Sequence, residues 1–576
     1  MKELFKRLKK FRRECVLAPL LKLSEAVLEL FVPLLVAAMI DEGIMKNDNG
    51  YIIRTALIMA ALGLSGLLLS VTAQYFSARA AAGFAGELRE SLYAKIQSFT
   101  YAKLDSLGVP ALITRITGDV NQVQTALNLT LRLLLRSPFV VFGAAVMAFT
   151  VNARAALVFA VLIPLLAVVV FGIMLACIPL YGRVRKALDK VTAKARGGLA
   201  GVRVVRAFGT EEAESEEFSR EHALLTSIQR RTGRIGAIMD PAAFLLVNLG
   251  IFALIRLGAV NVDSGDMTRG ELVALYNYMT QILVELIKLA NLIITVSKGV
   301  SCAKRINSVL VEESGEPERA PLPEKPVPGA PLLEFRGVSF RYENAAADAI
   351  SGVSFTLCKG ETLGIIGGTG SGKSTVAELI PRFYRATEGE ILLDGANLDS
   401  LPESELRRRI GFVPQKALLF RGSLRSNLRW RDENATDEEL LAALETAQAA
   451  EAAAAKGGLD AEVEQGGGNF SGGQRQRLTV ARALVGSPEI LVLDDSASAL
   501  DFATESALRK ALKKDAAGRA TVIISQRTAS IAHADKILVL DDGIPVGLGS
   551  HGELLKSCAV YREIYDSQFR KEAARA

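Results

Sequence analysis

Gly367-Gly368-Thr369-Gly370-Ser371-Gly372-Lys373-Ser374 stands directly after the strand-like run Thr362-Leu363-Gly364-Ile365-Ile366 and directly before the helical run Thr375–Leu379. Strand, glycine-rich loop and helix in that order are the setting a phosphate-binding loop requires. Glycines let successive backbone N–H groups turn inward around phosphates, and the following helix presents the positive end of its dipole. Lys373 is placed to reach the β- and γ-phosphates of ATP and Ser374 to ligate Mg²⁺, while Thr375 completes the nucleotide-contacting stretch.

Downstream, Ile490-Leu491-Val492-Leu493 is apolar without alternation, as expected of a strand buried on both faces of a parallel sheet. It ends in Asp494-Asp495, which places an acidic pair at the ligand edge, and Asp494 is the expected Mg²⁺ partner in phosphate-loop enzymes. Between these motifs, Phe470-Ser471-Gly472-Gly473-Gln474-Arg475-Gln476-Arg477 opens a helix predicted over Leu478–Val485. A serine and two glycines at a helix N-terminus make a second anion-binding surface. The loop at 367–374 already accounts for one triphosphate, so this second surface calls for a phosphate from elsewhere, which a dimer provides. From Leu332 onward short β-type runs alternate with helical ones, the pattern of an α/β domain.

Upstream of that domain, residues 312–331 are polar and hold Pro317, Pro321, Pro323, Pro326, Pro328 and Pro331, the composition of an extended spacer. Before it the chain is of another kind. A helix needs about 20 largely apolar residues to cross a bilayer. Six stretches qualify: Val16–Ile40, Ile52–Phe76, Leu127–Phe149, Ala155–Pro179, Ile235–Val260 and Leu272–Val296. Together they make a membrane domain over residues 14–311. This division explains why 50% hydrophobic residues and a mean hydropathy of +0.27 coexist with 23% charged residues.

Arg79, Arg89, Lys95, Lys103 and Arg115 lie in one connection, and Arg183, Arg185, Lys186, Lys190, Lys194, Arg196, Arg203 and Arg206 in another, whereas the alternate loops carry few cations. The positive-inside rule then places both termini on the cytoplasmic side of the cytoplasmic membrane. The two basic connections keep helical periodicity, so the spans are expected to continue into the cytosol. Each has a polar break, at Lys103–Val109 and at Gly209–Glu214, read as short crosswise helices resting on a cytosolic domain. Residues 1–13 alternate Leu4, Phe5, Leu8 and Phe11 with seven basic residues and are expected to lie as a helix on the membrane surface. Within the spans Glu25, Glu29, Arg132, Arg136, Glu285 and Lys288 are ionisable, and charge at that depth is costly enough to mark function. Lys22 and Arg136 have the length to snorkel toward water, and Glu285 with Lys288 has the spacing of a helical pair.

The five cysteines have no paired spacing, so neither a disulfide framework nor a zinc site is indicated. A net charge of +6, with cations scattered among apolar segments, gives no nucleic-acid stripe. Membrane lipid is the expected surrounding.

On these motifs the whole chain resembles a half-transporter of the ATP-binding cassette (ABC) exporter family: six membrane helices fused to an α/β P-loop cassette at residues 332–576. The resemblance implies ATP and Mg²⁺ as ligands and a second half-transporter as partner. It implies that Tyr342 stacks on adenine and that Gln415 joins the nucleotide and its metal to the membrane domain. It also implies that Ser471, Gly472, Gly473 and Gln474 form the signature motif, and that Ser498-Ala499-Leu500-Asp501 crosses the dimer interface. Two positions depart from the family pattern. Asp495 stands where a glutamate usually follows the Walker B aspartate, and Gln526 stands at the switch histidine; His533 lies beyond that motif and is expected to face solvent.

A carboxylate one methylene shorter sits about 1 Å back from the attacking water, a displacement that can cost about 10²-fold. The site built on this phosphate loop is therefore expected to bind ATP and hydrolyse it slowly, with the intact signature completing a faster site on a different partner. The alternatives are a homodimer with Asp495 as a weak base, an importer on the exporter fold, and an ATP-gated regulatory membrane protein. Cargo, whether small molecule, lipid or peptide, is not written in these motifs.

Overall fold

The computed structural model describes residues 2–312, 329–343, 345–496, 500–515 and 518–573. Most of the proline-rich spacer, from 313 to 328, and Ser498-Ala499 of the expected interface loop fall outside the described residues. The chain divides into two compact units, Met1–Ser98 with Val109–Glu313, and Phe99–Gly108 with Ser314–Ala576.

Among the described residues, six helices of the first unit are long and apolar enough to cross a membrane: Lys6–Ile44, Asn49–Gln97, Val109–Val151, Ala153–Ala200, Glu211–Asp263 and Arg269–Val311. The sixth, at 43 residues, is about 65 Å long, twice a hydrocarbon core of about 30 Å. The basic N-terminal helix does not stop at residue 13. Lys2–Leu8 passes through one tight turn, Lys9–Phe11, straight into Arg12–Ala38, since nothing in Phe11-Arg12-Arg13-Glu14 breaks a helix.

The short loops that precede the second, fourth and sixth spans each end in the cap of the next helix. Asp48 accepts from Tyr51 N at 3.0 Å, Asn152 from Ala155 N at 3.0 Å, and Thr268 from Glu271 N at 3.1 Å in a reciprocal capping box. Alanines 144, 148, 155, 156, 243 and 274 in the core let the spans approach closely, while large apolar side chains such as Leu57, Leu64, Leu68, Val161 and Val168 point outward, as lipid-facing positions must.

Near the middle of the spans the charges pair across helices. Arg136 donates from Nη1 to Glu285 Oε1 at 2.6 Å and from Nη2 to Glu29 Oε2 at 2.5 Å. Ser137 donates to the other Glu285 oxygen at 2.7 Å, and Lys288 reaches Glu285 at 2.9 Å. Lys22 and Arg136 do not snorkel. Both are buried, and Lys22 is held inward by Glu25 at 2.6 Å and Ser70 at 2.7 Å.

In the second unit a six-stranded sheet runs in the order Ile544–Gly549, Lys536–Asp541, Thr362–Gly367, Ala520–Ile524, Ile490–Asp494, Ile410–Val413. All neighbours are parallel except the first pair. A four-stranded antiparallel sheet, Ile350–Leu357, Leu333–Phe340, Glu388–Leu393 and Ala396–Asn397, shares its core. A helical part built on Asp437–Thr446 and Gly472–Leu484 has a core of its own. The segment Phe99–Gly108 belongs with this unit although it lies between two spans in sequence. It forms the helix Tyr101–Leu107, capped by Thr100, whose Tyr101 ring stacks on Phe383 at 4.3 Å and whose Asp105 accepts from Tyr384 at 2.5 Å. The other polar break follows the helix Val202–Phe208 and turns at Gly209 and Thr210 within the first unit.

Candidate nucleotide site

The sheet order brings the separated motifs together. Ala520–Ile524 lies between the strand that ends in the glycine loop and the strand that ends in the acidic pair, with Ile524 in register with both Ile365 and Asp494. Loops leaving three adjacent parallel strands at their C-terminal ends then open onto one crevice, where open α/β sheets bind ligands.

That crevice is a cleft of about 320 Å³. Its walls bring together the phosphate-loop residues Thr369, Gly370, Gly372, Lys373, Ser374 and Thr375, the acids Asp494 and Asp495, and Tyr342, Gln415 and Gln526. Gly367, Gly368 and Ser371 build the loop behind this surface. Glycine is needed at two of these positions: a Cβ on Gly367 would stand 2.2 Å from the Leu540 carbonyl oxygen, and Gly372, at φ +88°, would meet the Ala349 carbonyl oxygen at 2.6 Å.

Lys373 is only 8% exposed, and its Nζ donates to the loop carbonyls of Gly367 at 3.0 Å and Gly368 at 2.5 Å. Burial lowers its pKa from the ordinary lysine value, with the charges of Asp495 and Asp494 opposing. Ser374 Oγ donates to Asp494 Oδ1 at 3.1 Å. Burial pushes the Asp494 carboxyl up; the Ser374 hydroxyl opposes this and the neighbouring Asp495 adds to it. A buried ammonium without a bonded carboxylate, beside paired hydroxyl and carboxylate oxygens, fits a polyphosphate with Mg²⁺, a cation that takes oxygen ligands from one or two carboxylates plus phosphates.

Asp495 adopts a left-handed backbone, φ +43°, which aspartate tolerates better than most residues. It is pinned on three sides: its N–H donates to the Ile524 carbonyl at 3.1 Å, its carbonyl accepts from Gln476 Nε2 at 3.3 Å, and its carboxylate accepts from Gln415 Nε2 at 3.4 Å. Tyr342 packs edge-on against Phe340 and Tyr384, and its hydroxyl bonds Thr375 at 3.1 Å and Glu378 at 3.3 Å. Gln476 and Glu378 escaped the sequence reading. Gln476 lies in the helical run after the second glycine motif, two residues beyond Gln474, but nothing in one strand of sequence says that this helix faces the acidic pair.

Ser471, Gly472, Gly473 and Gln474 do not line the cleft. Ser471 caps the helix Gly472–Leu484 in a reciprocal box, Gln474 N to Ser471 Oγ at 3.3 Å and Ser471 N to Gln474 Oε1 at 3.0 Å. His533 is exposed, as expected.

Fold and cleft define a phosphate-loop ATPase cassette fused to a six-helix membrane domain. Residues 15–286 match the ABC transporter transmembrane region family and residues 350–498 the ABC transporter family. The chain is 35% identical to an uncharacterized ABC transporter ATP-binding protein of Mycobacterium tuberculosis, over 97% of this chain and 96% of that protein. It is also 31% identical to the ATP-dependent lipid A-core flippase of Xanthomonas campestris, over 95% of each. The solved structure of a bacterial Atm1-family ABC exporter with ATP bound superposes with a TM-score of 0.78 at 25% identity, covering 97% of this chain and 98% of that one. The chain therefore belongs to the ABC transporters, as a half-transporter with the exporter fold: a multi-pass membrane ATPase that couples ATP hydrolysis to transport and acts as a dimer.

Proposed function

We propose that this half-transporter exports a small molecule, lipid or peptide across the cytoplasmic membrane, with both termini inside. Its own cleft is the slow site of a heterodimer. The observation that carries this reading is the meeting of Asp495 and Gln526 in one cleft, at positions where the family usually has glutamate and histidine, while Ser471–Gln474 sits outside that cleft as an intact capped helix end. Lys373 binds the terminal phosphates, Tyr342 carries the base, and Ser374, Asp494 and Gln415 hold Mg²⁺, which when bound neutralises charge on the β- and γ-phosphates. Asp495 orients the attacking water from too far back. The flippase among its relatives supports a lipid-like cargo.

The test is restoration. Asp495→Glu with Gln526→His should raise hydrolysis at this chain's site at least about tenfold, recovering part of what a placed general base contributes. A rate unchanged in the double variant would reject the slow-site reading.

The helix Tyr101–Leu107 is proposed to transmit cassette movement to the spans. Tyr101→Ala with Asp105→Ala removes its ring stack and its carboxylate contact. The pair of substitutions should leave ATPase essentially unchanged and abolish the ATP-dependent distance change between spin labels on loops 45–48 and 264–267. Persistence of that distance change would make the helix a mere connection.

A further inference from the structure

The segment that carries Gln526 has an anchor outside all the nucleotide motifs. Gln568, on the C-terminal helix Ala559–Ala573, donates from Nε2 to the Gln526 carbonyl at 2.8 Å. Its Oε1 accepts from Thr528 N at 2.9 Å and from Thr528 Oγ1 at 2.8 Å. One side-chain amide thus engages both sides of residues 526–528, as a neighbouring strand would.

The bonds answer a local need. Thr528 begins the short helix Thr528–Ile531, and its N-cap, Arg527, supplies no side-chain acceptor. The first amides of a helix have no partner within it. Thr528 is fully buried, so without Gln568 its N–H and hydroxyl would lie unsatisfied in the interior. The platform is firm: Tyr561 of the same C-terminal helix is fully buried, its hydroxyl 2.7 Å from His551 Nδ1, in a cluster with Ile366 and Ile531 under the sheet. Ile366 lies in the strand that feeds the phosphate loop. The C-terminal helix therefore grips the loop carrying Gln526 and packs beneath the strand Thr362–Gly367 that feeds the phosphate loop.

The geometry points to Gln568 as a positioning residue of the nucleotide site: through it the C-terminal helix fixes where Gln526 meets the terminal phosphate of ATP. This rests on Gln526 occupying the switch position. Gln526 is a neutral side chain with a fixed reach, so its contribution depends on the backbone that carries it, and a 1 Å misplacement at such a site is costly. Gln568 touches neither ATP nor the attacking water; it acts through Gln526.

Photolabelling of the full-length transporter with 8-azido-ATP and 8-azido-ADP, read on this chain, tests the assignment. Gln526→Ala and Gln568→Ala should each lower the preference for ATP over ADP about tenfold, the loss of one hydrogen bond to a charged group. ADP affinity should stay unchanged, because the phosphate loop is untouched. Gln568→Glu keeps the acceptor for Thr528 but sets a carboxylate oxygen against the Gln526 carbonyl, so it should lose the ATP preference while the Thr528 amide stays protected from hydrogen exchange. In Gln568→Ala that amide should exchange faster.

A loss in Gln526→Ala that neither Gln568 variant shares would overturn the assignment. So would an equal fall in ATP and ADP affinity, which marks general damage to the cassette. If Gln526→Ala itself leaves the preference intact, the switch reading of Gln526 fails and the positioning role of Gln568 falls with it, and faster exchange at Thr528 in Gln568→Ala then marks a structural bond alone.

Discussion

Arg136→Ala should destabilise the membrane domain by about 3–5 kcal/mol, because it takes the guanidinium partner from the buried Glu285 carboxylate and from the half-exposed Glu29. Glu285 is 2% exposed and shares Arg136 with Glu29, so removing the guanidinium strips one charge-assisted bond from each acid. Lys22, Glu25, Glu29, Arg136, Glu285 and Lys288, the groups paired by these contacts, are three cations and three anions, and the substitution leaves them with one more anion than cation. Lys288 and Ser137 still hold Glu285, which keeps the loss from being larger. Reversible unfolding in mixed micelles measures the effect. Arg136→Met combined with Glu285→Met should be milder than Arg136→Ala, since an apolar pair replaces a buried ion pair at small cost. A double variant worse than the single would overturn the reading that Arg136 and Glu285 chiefly stabilise each other and would shift the weight to their bonds with Glu29, Ser137 and Lys288.

Pairings of this kind mark the limit of what the amino-acid order reveals. The glycine loop was legible because strand, turn and helix adjoin in sequence and the backbone geometry is dictated locally. The six spans were legible because a bilayer imposes a length and a polarity on each one separately. Lys288 and Glu285 could be paired in advance, being one helical turn apart. Arg136 and Glu285 are 149 positions apart, and periodicity assigns each to a helix face without naming the face opposite. The same holds for Gln568 with Thr528 and for Tyr101 with Phe383. Lys22 illustrates the converse error: its length allowed an escape to water, but Glu25 and Ser70 offered bonds closer at hand.

Asp495 and Ser471 should respond unequally to substitution, and this separates the asymmetric transporter from a symmetric one. In the asymmetric case Asp495 belongs to the slow cleft of this chain, held by Gln415, Gln476 and Ile524. Asp495→Asn then removes little from steady-state ATPase, because little hydrolysis occurs there. Ser471 lies outside that cleft, at the capped end of the helix Gly472–Leu484, and serves a phosphate bound by the partner. Ser471→Ala removes a donor directed at charge that redistributes as the γ-phosphoryl group transfers, and losing one such donor costs about 10²–10³-fold. It also removes a helix cap worth about 1 kcal/mol, an effect on local stability that Ser471→Thr spares. Alanine should therefore abolish most of the activity of the purified pair, with each change made in this chain alone, and threonine should retain much of it. In a homodimer every cleft relies on Asp495 as its base, so Asp495→Asn would be the severe change. A large loss from Asp495→Asn with a small one from Ser471→Ala would leave the homodimer, with aspartate as a weak base, as the working description.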